Sequence, residues 1–180
     1  MQKTERLKAK MAEQRKISLE ERCAASLCDP VLIEGMKGLL ELCRELRMKP
    51  IWYHGASYKC YYKKRVVAYL SVYTNRHNKE VCDISVVTVR DDDNLNNYLN
   101  IVDNDMKDIV QSFLKTCICC TLKDGRPSMC SGGCDVEIDG ILHKAVCMKV
   151  AYHKLNPTAD EFMMIKRFII ARRKFIEAIT

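Results

Sequence analysis

The chain lacks any apolar run near the about 18 residues that a bilayer-spanning helix needs, so the sequence predicts no membrane helix. Its first sixteen residues, MQKTERLKAKMAEQRK, contain no apolar core and do not read as a secretory signal. Aromatic residues are scarce at 7 %, with a single tryptophan, and there are only four prolines and seven glycines. That leaves no material for a long Pro/Gly-rich linker, and no internal repeat or low-complexity tract breaks the chain. No glycine-rich phosphate loop, HExxH, GxSxG or dinucleotide fingerprint occurs, so the familiar signatures of nucleotide, zinc-protease and serine-hydrolase chemistry are absent. The sequence therefore favours a protein that is not an enzyme. A core is still affordable, because aliphatic, Met and Cys residues bring the hydrophobic share to 48 % of 180 residues.

Cysteine is what the chain has in plenty. There are eleven, and with no export signal they point to a reducing cytoplasm, to metal or to free thiols rather than to disulfides. Six fall between Cys117 and Cys147, in CICCTLKDGRPSMCSGGCDVEIDGILHKAVC. Cys117 and Cys120 form a CxxC pair, and Cys130 and Cys134 form a CxxxC pair across Gly132 and Gly133. Thiolates at such spacings on turns converge on one tetrahedral Zn²⁺ at about 2.3 Å, and the two glycines let the chain curl round an ion. The expected ligands are Cys117, Cys120, Cys130 and Cys134, with Cys147 or Cys119 as substitutes. Redox-active thiols are the competing explanation. Cys43, Cys60 and Cys82 lie singly in apolar patterns and are expected to pack as small hydrophobes.

The formal net charge of +7 lies partly in the first sixteen residues and in residues 166–174. Such a balance suits a nucleic acid or another anionic partner, and a solvated basic face on two terminal helices explains it equally simply. Along the chain, residues 1–16 read as a charged helix. Ser18 to Glu21 fits a capping box, and Asp29-Pro30 fits a second helix start. Residues 31–47 then repeat Leu32, Met36, Leu39, Leu40, Cys43 and Leu46 at helical period, with Pro50 as the stop. Residues 51–55 read as a loop. Residues 58–62, 65–73 and 81–89 read as strands of an antiparallel meander. Both faces of 65–73 are semi-apolar, which predicts helices or a ligand cleft on the aromatic side. A polar helix is expected from Asp91 to about Thr116, with a break near Asp103. Residues 135–138 and 141–150 form a hairpin at Asp139-Gly140. A last helix starts at Asn156 to Thr158 and places Lys166, Arg167, Arg172, Arg173 and Lys174 outward or toward its C-terminal end.

For a binding site the sequence offers Trp52, Tyr53, His54, Tyr61 and Tyr69, as the lining of a small pocket or as core. His54 is the most site-like of the four histidines. His143, in the hairpin leading to Cys147, is a further candidate to ligate or support a metal.

The tail, CSGGC followed by VEIDGILHKAVC and LNPTADEFMMIKRFIIARRK, resembles small uncharacterised bacterial proteins with a Cys-x-Gly-Gly-Cys type of motif. The middle, YKCYYKKRVVAYLSVY with DISVVTV, is similar to the sheet core of YdhG-like α+β domains. The likeness covers residues 50–90 and 117–175. In those relatives a CxxC directly precedes the Gly-Gly motif, whereas here residues 121–129 intervene. The resemblance implies an α+β fold, and in one branch an association with iron delivery.

Together these observations predict a helical N-terminal arm, residues 1–28, and a single α+β domain, residues 29–180. Its antiparallel sheet of about five strands packs with N- and C-terminal helices, and a Cys-rich zinc knuckle forms an excursion from it. The expected function is that of a cytoplasmic metal-binding protein holding structural zinc rather than iron. A cleft on the sheet would take a small ligand or a protein partner. A thiol-redox or iron-handling protein and a nucleic-acid-associated zinc-knuckle module are the alternatives.

Overall fold

The computed structural model describes residues 2–88, 95–113, 133–138, 141–147 and 151–180. In order these form α1 (Gln2–Lys16), α2 (Leu19–Ser26), α3 (Pro30–Glu45), β1 (Lys49–His54), β2 (Ser57–Tyr62), β3 (Arg65–Thr74) and β4 (Glu80–Val86). There follow α4 (Leu95–Leu99), α5 (Asn104–Phe113), β5 (Gly133–Ile138), β6 (Ile141–Cys147), β7 (Tyr152–Leu155) and α6 (Ala159–Ala178). The protein is α+β, with a five-stranded antiparallel sheet and helices at both ends of the chain.

Local chemistry sets the helix starts. At α2 the Ser18 Oγ accepts from the Glu21 N–H at 3.1 Å, and the Glu21 carboxylate accepts from the Ser18 N–H at 2.7 Å. Each group satisfies a donor that the first turn would otherwise leave bare. Asp29 accepts from the Val31 N–H at 2.8 Å, and Pro30 opens α3 where its missing N–H costs nothing. Thr158 and Glu161 repeat the reciprocal cap at α6. The stripe Leu32, Met36, Leu39, Leu40 and Cys43 is buried as its period requires. The helix predicted after Asp91 occurs as two pieces, α4 and α5, divided at residues 100–103 near the expected break. The Asp91 to Asp93 triad itself lies outside the described residues.

The sheet order is β1-β2-β3-β4-β7. Five strands were expected, but two of them are different ones. Residues 51–55 were read as a loop because Pro50 and Gly55 bracket them. Instead Pro50 sits inside β1, opposite Cys60, and β1 is an edge strand, where a missing N–H removes no ladder bond on the solvent side. The other newcomer is β7, four residues that pair Tyr152 to Leu155 with Val86 to Asp83. It is locked by Asn156, whose backbone N–H donates to Cys82 O at 2.7 Å and whose side-chain oxygen accepts from Cys82 N–H at 2.7 Å. Asn156 has φ 48°, a left-handed conformation that asparagine tolerates. The hairpin β5–β6 forms its own two-stranded ladder. Lys63 and Lys64 turn β2 into β3 with φ values of 43° and 66°, the pair of positive angles that a type I′ turn demands, here without glycine.

One sheet face is covered by helices. Tyr58, Cys60, Leu70, Val72, Cys82 and Ile84 face them and are buried together with Phe162, Ile165, Phe168 and Ile169 of α6. From α2, Arg22 Nε donates to the Tyr58 hydroxyl at 3.1 Å, and that hydroxyl donates to Ile17 O at 2.7 Å. Helices α3 and α6 touch at Gly35, where the Phe162 ring occupies the space of a side chain. Arg172 differs from its expected outward position: it is fully buried, with its guanidinium 5.2 Å from the Phe175 ring centroid. Helical period places it in line with Ile165, Phe168, Ile169 and Ile176, and that position decides over its charge. Among the described residues no helix is long and apolar enough to cross a membrane.

Candidate binding face of the sheet

Strand alternation divides the predicted aromatic site between two sides. Register sets Ile51 opposite Lys59, Lys59 opposite Tyr69, Tyr69 opposite Ser85 and Ser85 opposite His153. Residues directly opposite share a face, so this row runs across all five strands. The next row holds Ser57, Ser71, Asp83 and Leu155. Tyr53, Tyr61 and Tyr73 belong to the same face by the period of two. It is the side away from the helices: Ile51 is 49 % exposed, Tyr53 47 %, Tyr73 39 % and Leu155 59 %. The aromatic side, expected to be covered by helices or to line a cleft, is thus open at Ile51, Tyr53, Tyr73 and Leu155, while Val66 and Val81, opposite Tyr61 and Tyr73, are buried.

At its centre the Lys59 ammonium lies between two rings. Its Nζ is 3.4 Å from the Tyr53 centroid and 5.4 Å from that of Tyr69, and the two rings are 6.3 Å apart. Each ring attracts the cation through its negative face, at about 0.5–1 kcal/mol for an exposed pair. Tyr53 also meets His54, with ring centroids 4.4 Å apart. Further along, Ser57 and Ser71 share a 2.8 Å hydrogen bond, and His153 Nε2 lies 2.8 Å from Asp83 Oδ1. The face therefore offers exposed rings, hydroxyls and a held cation, while its carboxylate Asp83 is engaged by a histidine.

Tyr53, Tyr61 and Tyr69 come together here, with His54 exposed at the rim. Trp52 does not join them. It lies on the helix side, its Nε1 donating to Gly55 O at 3.0 Å and the Arg15 guanidinium 5.5 Å from its ring centroid. Lys59 was not singled out from the sequence, although its place between Tyr58 and Cys60 in an alternating run was a signal that it faces away from the core.

Of the predicted metal ligands, Cys117, Cys120 and Cys130, with the substitute Cys119, lie outside the described residues. Cys134 and Cys147 stand in the hairpin: Cys134 is opposite Val146, and Cys147 is opposite Gly133. Among the described residues no three His, Cys, Asp or Glu gather as a metal site.

Of the described thiols outside that segment, Cys28 is exposed, Cys23 is half-buried and the other three are core groups. Cys43, Cys60 and Cys82 are buried, and Cys43 Sγ lies 3.9 Å from Cys60 Sγ. Burial pushes the Cys23 thiol up to about 11 and the Cys82 thiol up to about 12. The hydrogen bond to Cys43, together with full burial, holds Cys60 well above the ordinary thiol range. Thiols kept protonated in this way are poor nucleophiles.

A concavity of about 580 Å³ on the helix side lies between the starts of α3 and α6 and the β3–β4 turn. Its polar groups are already engaged: the Glu80 carboxylate accepts from the Cys28 and Asp29 N–H groups at 2.7 and 3.1 Å, and Asp29 and Thr158 cap their helices. No family model matches this chain, and no curated protein or solved structure matches it either.

Proposed function

We propose that this is a non-enzymatic cytoplasmic binding protein whose open sheet face takes an anionic, ring-bearing ligand and whose Cys-rich segment holds a structural zinc ion. The observation that carries the ligand assignment is the Lys59 ammonium set between the Tyr53 and Tyr69 rings on an exposed face. A cation flanked by rings supplies charge for an anionic group and flat apolar surface for a planar one. Titration calorimetry with adenosine monophosphate tests it. Binding that Lys59→Gln and Tyr69→Leu both weaken supports the assignment, and heat signals indifferent to both substitutions refute it.

The zinc assignment rests on the CxxC and CxxxC spacings. Binding free energy of a structural zinc is folding free energy. Elemental mass spectrometry on untagged protein should find about one zinc per chain. Cys130→Ser should lose that metal and lower the melting temperature. Full metal content with unchanged melting in this variant removes Cys130 from the site. The YdhG-like resemblance adds iron as the metal to be looked for in the same measurement.

A further inference from the structure

The ligand of the open face can be narrowed by charge. Residues 46–79, which comprise β1, β2, β3 and their turns, contain eight Lys or Arg and no Asp or Glu. The same stretch carries seven of the chain's thirteen aromatic residues. Packing explains only part of this. Tyr58 is buried and Trp52 packs against the core, whereas Tyr53 and Tyr73 are exposed and Tyr69 is half-buried on the open side. Lys49 and Lys59 belong to that side by register with Tyr61 and with Ile51. Among the described residues neither pairs with a carboxylate, and Asp83, the acid of that face, is held by His153.

A strip of rings backed by unopposed cations matches a polymer that alternates flat bases with phosphates. Exposed aromatic side chains on a sheet stack two or three unpaired bases, and a cationic groove tracks the backbone. Tyr69 and Tyr73 lie four residues apart on β3, about 13 Å at about 3.3 Å per residue, and the Tyr53 ring lies 6.3 Å from that of Tyr69. The rings are thus spread over an area that one mononucleotide does not span. A duplex hides its base faces, so exposed rings have no base face to stack on there.

We infer that the open face of β1, β2 and β3 binds single-stranded nucleic acid, with bases stacked on Tyr53, Tyr69 and Tyr73 and phosphates at Lys49 and Lys59. This rests on the open face being a recognition surface and is independent of the zinc assignment.

Fluorescence anisotropy with fluorescein-labelled twelve-nucleotide oligouridylate and oligodeoxythymidylate, on the full chain as purified, provides the test. The expected result is binding at 50 mM salt that weakens steeply towards 200 mM, as phosphate contacts require. Tyr53→Leu and Tyr69→Leu should each weaken it about tenfold, and Lys59→Gln should make the salt dependence shallower by about one phosphate. Lys37→Gln, an exposed change on α3, should leave binding as it was. Circular dichroism verifies that the variants are folded, which the exposure of these side chains favours. Equal affinity for a duplex of the same length or for heparin, or indifference to both tyrosine substitutions, overturns the inference in favour of a merely basic surface. Oligonucleotides that bind no tighter than adenosine monophosphate overturn the polymer but preserve the face as a site for a small anion. If neither probe binds at 50 mM salt, both fail.

Discussion

Two glycines on one helix separate a packing requirement from a backbone preference. Gly35 and Gly38 lie about one turn apart on α3, and both occupy helical positions that alanine would stabilise by about 1 kcal/mol through backbone entropy. Their surroundings differ. A Cβ at position 35 would stand 2.2 Å from Cδ2 and Cε2 of Phe162 and 2.5 Å from Cζ, against the about 3.5–4.0 Å of an ordinary carbon contact. Phe162 is 3 % exposed, so its ring has no free space to turn into and the two helices must part. Overpacking of this kind costs about 1–3 kcal/mol. A Cβ at position 38 would meet the Lys166 ammonium at 2.5 Å, the far end of a flexible chain that swings aside into water. Propensity cancels between Gly35→Ala and Gly38→Ala, leaving the contact: the first should be less stable than the second by about 1–3 kcal/mol. For a chain of this size that is a melting-temperature gap of roughly 2–12 °C, at about 2–4 °C per kcal/mol. Urea denaturation followed by circular dichroism measures it directly. Gly35→Ala at or above the stability of Gly38→Ala would refute the close approach of α3 to α6.

Thr158→Ala should cost about 1 kcal/mol through loss of the α6 cap, read from the urea midpoint; an unchanged midpoint would mean that the cap contributes nothing. The Lys154 hydrogen bond, with the Thr158 N–H, holds the Glu161 carboxyl below its ordinary value of 4.5, and Arg167 does the same for Asp105, ordinarily 3.8. A depressed folded pKa gives stability that is complete above the ordinary carboxyl range and lost as pH falls through the lowered values. Stability should therefore decline below about pH 4.5, less steeply in Glu161→Gln, and identical pH profiles would dismiss that carboxylate as a contributor. Under iodoacetamide, with labelled peptides mapped by mass, the exposed Cys28 should react in the native protein while Cys43, Cys60 and Cys82 wait for unfolding. Native labelling of Cys60 at the rate of Cys28 would contradict its burial.

What could be read from the sequence was local. The caps at Ser18 and Asp29 and the buried stripe of α3 depend on residues within one or two turns, so spacing alone revealed them, while for α6 it left Asn156 and Thr158 open. Strand β1 was hidden because Pro50 is a breaker everywhere except at an edge, and only the assembled sheet makes β1 an edge. Strand β7 was hidden by its four-residue length beside Asn156-Pro157. Arg172 was misplaced because charge was weighed above helical period. The alternation that puts Tyr69 with Tyr73 and Leu70 with Val72 was legible, but the side chosen by the helices was not. Both faces of β3 are semi-apolar, and the choice is made by partners far along the chain, in α2 and α6. Lys59 acquired its meaning only when register laid it between Tyr53 and Tyr69.

That choice of side is the link between fold and function. Leu70, Val72, Ile84 and Cys60 meet the need of the sheet for a buried face, so folding makes no demand for large rings on the other one. Exposed apolar side chains rimmed by polar groups mark interaction surfaces when they cluster, and Ile51, Tyr53 and Tyr69 adjoin Lys59. Such a face also risks pairing with a second sheet. Its edges are guarded: β1 carries Lys49 and Pro50 with Pro50 inside the ladder, and β7 is only four residues long. The edges thus resist strand addition while the face stays accessible. In the reading proposed above, the occupant is a ligand that stacks on the rings rather than a strand that extends the ladder.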